Sequence, residues 1–174
     1  SADLYTIGTS ITSVNDQPVI SLSNSGDLTF STDEDTPLTF SAASSLLSLS
    51  DADSDAILTT TLSVVSGTGT LDVVDGAAAT LSGDNSNEVV LTGTASQINA
   101  ALATVIYTPT GDANGVGYAT LSVSTVDELG SSADGLSLTL DVNAINDAPL
   151  GDDATATTLY EDQSIIAGQS VSAL

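Results

Sequence analysis

An all-β fold, an antiparallel sandwich with one short helical turn, is what this chain of 174 residues predicts, and three observations predict it. Apolar and polar residues alternate with period 2, as half-buried strands require. Aromatics supply only 3% of the residues, so the core falls to Leu, Val, Ile, Ala and Thr, rich in the β-branched side chains that suit a pleated surface. Turns rich in Gly, Asp, Asn and Ser break the alternation at short intervals. Many short strands of this kind close into a sandwich.

Taken in order, Val19 to Leu22, Leu28 to Phe30 and Leu38 to Phe40 are short strand candidates. Leu58, Thr60, Leu62 and Val64 share one face of a longer strand, followed by Leu71 to Val74 and Val89 to Thr92. Thr94 and Gln97 then stand at capping-box spacing, and Ile98, Ala101 and Leu102 fall at i, i+3 and i+4, so a helical turn interrupts the pattern. Val105 to Tyr107, the face Ala119, Leu121 and Val123, and the run Leu136 to Val142 complete the set. Tyr107 and Tyr118 are expected to fill or edge the core.

An internal repeat sets the organisation. Val14-Asn15-Asp16-Gln17-Pro18 recurs 131 residues later as Ile145-Asn146-Asp147-Ala148-Pro149, and each copy is followed by an acidic doublet, Glu34-Asp35 or Glu161-Asp162, offset by 127. Residues 1–16 read as the last strand of a preceding repeat plus a linker, because Tyr5, Ile7, Thr9 and Ile11 alternate as Leu136 to Val142 do. Residues 17–147 read as one complete module, and 148–174 as a linker and the opening strands of a following repeat. Neither flank can bury its apolar face alone.

Charge is the second constraint. The chain holds 23 carboxylates and no Lys, Arg or His, a formal charge of -23, so no acid finds a basic side chain within it. Hard cations are the natural counter-charge, since Ca²⁺ takes about six to eight oxygen ligands. The lack of Cys and His removes thiol chemistry, disulfides and the usual transition-metal ligands. The charge repels phosphate backbones and anionic lipid, so neither nucleic acid nor membrane insertion is expected. No apolar run approaches the roughly 18 residues that span a bilayer, and no basic segment precedes an apolar one at the N-terminus. Paired carboxylates can hydrolyse glycosides, but a sugar cleft needs aromatic platforms, and the chain has no Trp, four Tyr and two Phe; no enzymatic activity is expected.

Two motifs concentrate the acids. Asp51-Ala52-Asp53-Ser54-Asp55 resembles the opening of a helix-loop-helix calcium loop, yet its sixth position is Ala56 and its twelfth Leu62 where that loop needs Gly and Glu. A different calcium geometry and a solvated acidic loop both remain open for it. The linkers join two side-chain oxygens to a Pro that keeps the preceding residue extended, which allows ion ligation at a stiffened joint or an ordinary boundary turn.

The order of motifs carries a resemblance. Glu34-Asp35-Thr36-Pro37-Leu38, Ser50-Asp51-Ala52-Asp53, Leu91-Thr92-Gly93-Thr94 leading into Ile98-Asn99-Ala100-Ala101-Leu102, Tyr107-Thr108-Pro109, Asn114-Gly115, Val126-Asp127 and Val142 to Pro149 together resemble the cadherin-like tandem repeats of giant bacterial RTX-type and biofilm surface adhesins. The resemblance covers nearly all of the central module. It implies an extracellular Greek-key β-sandwich of cadherin or immunoglobulin kind, strung in arrays with Ca²⁺ at the junctions. Position by position it implies Glu34, Asp35, Asp51, Asp53, Asp127, Asn146 and Asp147 as ligands, with Asn15, Asp16, Glu161 and Asp162 in neighbouring junctions. Glu128 departs from the Asp or Gly usual after Asp127. Ser66-Gly67-Thr68-Gly69-Thr70-Leu71-Asp72 is a single turn, not the glycine-rich nonapeptide series that often ends such adhesins.

The expected role is a structural extender of a long extracellular adhesin or surface fibre, at the cell surface or secreted, stiffened by Ca²⁺ at loops and linkers. Its expected partners are neighbouring modules of the same chain. Two alternatives stay open: a filament subunit exchanging strands with identical subunits, and a calcium-dependent module binding surface glycans.

Overall fold

The computed structural model describes residues 14–23, 28–40, 47–53, 55–74 and 78–148. Among them, strands β1 (Val19–Leu22), β2 (Thr29–Asp33), β3 (Leu38–Thr39), β4 (Leu47–Ser50), β5 (Leu58–Ser66), β6 (Thr70–Val73), β7 (Thr80–Ser82) and β8 (Glu88–Gly93) precede helix α1 (Ala95–Leu102). Strands β9 (Val105–Thr108), β10 (Gly115–Asp127) and β11 (Leu136–Asn143) follow it. They form a six-stranded sheet in the order β2-β11-β10-β5-β8-β7, a three-stranded sheet β3-β9-β6 and the pair β1-β4.

The alternation read from the sequence is the alternation of burial. Leu58, Thr60, Leu62 and Val64 point inward from β5, Leu121 and Val123 from β10, and Leu138, Leu140 and Val142 from β11. Leu71, Val73, Val105 and Tyr107 of the three-stranded sheet, with Leu49 of β4, complete one continuous core. Phe30 of β2 meets Phe40, just beyond β3, edge to face at 5.7 Å between ring centroids, which locks one sheet onto the other. The architecture is therefore an all-β sandwich. Two hydroxyls sit in this core without cost to it: Thr60 and Thr125 face each other across β5 and β10 and share a hydrogen bond of 2.9 Å.

The helix forms where the capping box places it. The Thr94 hydroxyl accepts from Gln97 N–H and the Gln97 side chain accepts from Thr94 N–H, while Ile98, Ala101 and Leu102 are buried. It runs for eight residues, longer than the single turn expected from the sequence, because its apolar stripe packs on the core. Asn99, on its flank, donates to Leu49 C=O at 2.8 Å and accepts from Leu49 N–H at 2.7 Å, standing in for a neighbouring strand of β4.

Other differences from the sequence reading have local causes. β2 runs parallel to β11, an exception among otherwise antiparallel pairings. β4 and β7 were not anticipated, being short and Ser- or Thr-rich with one or two apolar residues each. Gly69 adopts φ +139°, and a Cβ there would lie 2.5 Å from the Tyr107 ring, so the turn into β6 closes over that ring only without a side chain.

Strand β10 sets the two poles. Its 13 residues span about 40 Å. β5 begins beside its Asp127 end; β2 and β11 both finish towards its Gly115 end.

Candidate metal centre

At the Asp127 pole, the entry linker docks onto two acidic loops. The Asn15 side chain donates to Asp127 Oδ2 at 2.8 Å and to Ser131 Oγ at 2.7 Å. Asp16 N–H donates to Asp53 Oδ2 at 2.9 Å, and Asp53 N–H to Asp51 Oδ1 at 2.8 Å, the local bond that turns the Asp-Ala-Asp segment. Asp127 Oδ1 in turn accepts from Leu129 N–H and Ser131 N–H at 2.9 and 2.8 Å. Burial pushes the Asp127 carboxyl up, but the hydrogen bonds from Asn15 and from the Ser131, Leu129 and Gly130 backbone outweigh it, leaving it below its usual value.

One atom here is unsatisfied. Asp51 Oδ2 is shielded from solvent and has no hydrogen-bond partner. A lone carboxylate oxygen removed from water is costly unless a donor or cation faces it, but Asp51, Asp53 and Asp127 do not bring their oxygens together as a closely spaced trio; the trio with that spacing among the described residues is at the opposite pole.

At the Gly115 pole, the exit linker returns to a second group. Glu34, 4% exposed, accepts from Ile145 N–H at 2.6 Å through Oε1 and from the Asn114 side chain at 2.7 Å through Oε2. Beside it, Asp35, Asp112 and Asp147 bring one carboxylate oxygen each within 4.8 Å of one another. An ion bonded at about 2.3–2.6 Å to each oxygen tolerates separations up to about 5 Å, so these three exposed carboxylates are close enough to share one cation. With no cation in the sequence to offset the neighbouring charges, the Asp147 carboxyl lies above its usual value through partial desolvation and through Asp112, Asp35 and Glu34. Asp35 and Asp112 hold left-handed backbones, φ 60° and 58°, and Asp112 N–H donates to Asp35 Oδ1 at 3.2 Å.

The residues singled out from the sequence thus divide between two ends of the sandwich. Asn15, Asp16, Asp51, Asp53 and Asp127 gather at the entry pole, and Glu34, Asp35 and Asp147 at the exit pole. The Asn146 side chain bonds to the Asp147 carbonyl at 3.2 Å. Glu161 and Asp162 lie outside the described residues. Both Glu34 oxygens already accept from the protein, which makes it a brace for the linker as well as a candidate ligand. Glu128 braces too, accepting from Ile57 N–H at 2.6 Å. Asp112 was missed by the sequence reading. Its segment, Gly111-Asp112-Ala113-Asn114-Gly115, reads as an ordinary turn, and the available signal was an Asp two residues before the Asn-Gly motif and just ahead of the longest strand.

Compared with protein-family models, curated proteins and solved structures, the chain matches none.

Proposed function

We propose that this chain is an extender segment of a long extracellular adhesin or surface fibre, a module of an array whose joints are stiffened by Ca²⁺. The observation that carries the reading is positional. The two copies of the Asn-Asp linker attach to opposite poles of one sandwich, each beside carboxylates that no cationic side chain offsets.

Repetition turns these poles into one joint. Asn146-Asp147 stands to a following module as Asn15-Asp16 stands to this one. The exit group of Asp35, Asp112 and Asp147 then faces the next copy's counterparts of Asp51, Asp53 and Asp127. Bound Ca²⁺ would supply positive charge and multiple oxygen bonds at that joint. The protein's own residues do the rest: Asn15 and Glu34 fix the linker backbone, and the acids hold the donors close. Without the ion, like charges repel and the joint opens. Affinity of about 10⁻⁴ to 10⁻³ M, the range of extracellular modules, would suit a calcium-rich medium.

Thermal unfolding of the chain under Ca²⁺ titration, with Mg²⁺ as control, tests the binding. A calcium-specific rise in Tm that Asp112→Asn weakens supports the reading. Equal response to both ions, or none, counts against it.

A further inference from the structure

The poles carry a second feature that calcium ligation does not use. Among the described residues, nine large apolar side chains are exposed, and five of them sit at the poles: Val14, Ile57 and Leu129 at the entry, Val116 and Ile145 at the exit. Single exposed apolar residues are ordinary on any surface, but four of these five lie in loops, where polar residues are the norm, and Val116 is the second residue of β10.

Each group is anchored by the acids. At the entry pole, Asp127 accepts from Asn15, the neighbour of Val14, and from Leu129 N–H, while Glu128 accepts from Ile57 N–H. At the exit pole, Glu34 accepts from Ile145 N–H and from Asn114, two residues before Val116, and Gly117 N–H donates to Asp141 Oδ1 at 2.6 Å. Backbones are thus fixed while the apolar side chains stay outside. Leu129 is 72% and Val116 94% exposed, so little of this module covers either.

We propose that these residues form an apolar seam between successive modules, in which Val116 and Ile145 of one pack against Ile57 and Leu129 of the next. The occupant is argued from the repeated linker: Ile145-Asn146-Asp147 repeats Val14-Asn15-Asp16, and in this module that linker docks at the entry pole through Asn15 and Asp16, so on the array reading the exit linker docks on a like entry pole of the following module. The inference rests on the array reading above. It adds a contact that Ca²⁺ neutralisation allows to close and that selects for a like module, since a polar partner would leave the seam wet.

The test uses a tandem protein of residues 14–147 followed by residues 17–147, which preserves the linker length and keeps a whole core in each copy. The chain has no Trp, so one introduced indole reports alone. Leu129→Trp is placed in the first or the second copy, and Val116→Trp likewise, with acrylamide quenching measured in Ca²⁺. Leu129→Trp should be shielded in the second copy only and Val116→Trp in the first only, each with quenching reduced about twofold or more as expected inside a desolvated contact. Either mirror pair suffices should one variant fold poorly, and Ile57→Trp serves as a further reporter of the entry side. Equal quenching in both copies with Ca²⁺-driven lengthening intact overturns the seam and leaves the array. Equal quenching with no lengthening overturns both.

Discussion

Asn15 donates to Asp127 across 112 residues of sequence, at 2.8 Å, so the linker that enters the module is bonded to the strand end that defines its pole. The bond is charge-assisted and geometrically fixed by a second donation to Ser131. It orders the entry joint before any ion is considered.

Asn15→Ala should therefore lower the Tm of the metal-free chain by about 3 °C or more at neutral pH. The pH dependence has a definite sign. Asp127 is lowered in the folded protein, so its contribution is present above the ordinary carboxylate pKa and is lost as pH falls through the depressed value. Asn15→Ala removes one lowering bond and should shrink that acid-side loss, read from melts between neutral pH and pH 3. An unchanged acid limb would contradict the assignment.

Asp147 should behave in the opposite sense. Its pKa is raised on folding by partial desolvation, Asp112, Asp35 and Glu34, so ionisation weakens the metal-free fold as pH rises through the raised value. Asp147→Asn should then raise metal-free Tm at neutral pH slightly, the group being solvent-screened, while reducing the gain that Ca²⁺ brings. Calorimetry with chelator and with Ca²⁺ reads both arms, and loss of stability in chelator would refute the repulsion argument.

Glu34 is buried with both oxygens satisfied, by Ile145 and Asn114. Glu34→Ala strands those donors and should cost about 2 kcal/mol in urea unfolding even without calcium. Glu34→Gln keeps one acceptor and should cost less. Equal costs would mean that the carboxylate is not the brace described.

Asn99 is a structural test apart from the poles. Its paired bonds to Leu49 close the open side of β4, so Asn99→Ala should cost about 1–3 kcal/mol and expose a strand edge. Increased self-association by light scattering is the accompanying sign; a monomeric variant of unchanged stability would show that the helix alone protects the edge.

Much of this fold was legible because it follows from side-chain periodicity. The long strands β5, β10 and β11 announce themselves through Leu62, Leu121 and Leu138 and their alternating neighbours, and α1 through Thr94 and Gln97. The short strands β4 and β7 gave too few apolar positions to read. The parallel pairing of β2 with β11 depends on where a distant strand docks, which no local pattern encodes. The candidate site was legible as residue types and not as groups. Asp51 and Asp127 are 76 positions apart yet share a pole, whereas Glu34 and Asp51, nearer in sequence, belong to opposite ends. Asp112 stayed hidden because a left-handed Asp in a Gly-flanked turn looks like turn chemistry alone.

The most direct measurement is small-angle scattering of the tandem protein of residues 14–147 and 17–147, titrated with Ca²⁺ and with Mg²⁺. A calcium-specific increase in maximum dimension, abolished by Asp35→Asn with Asp112→Asn in the first copy and unaffected by the same pair in the second, is the expected result. An unchanged dimension, or a change indifferent to which copy carries the substitutions, would contradict a calcium-stiffened joint.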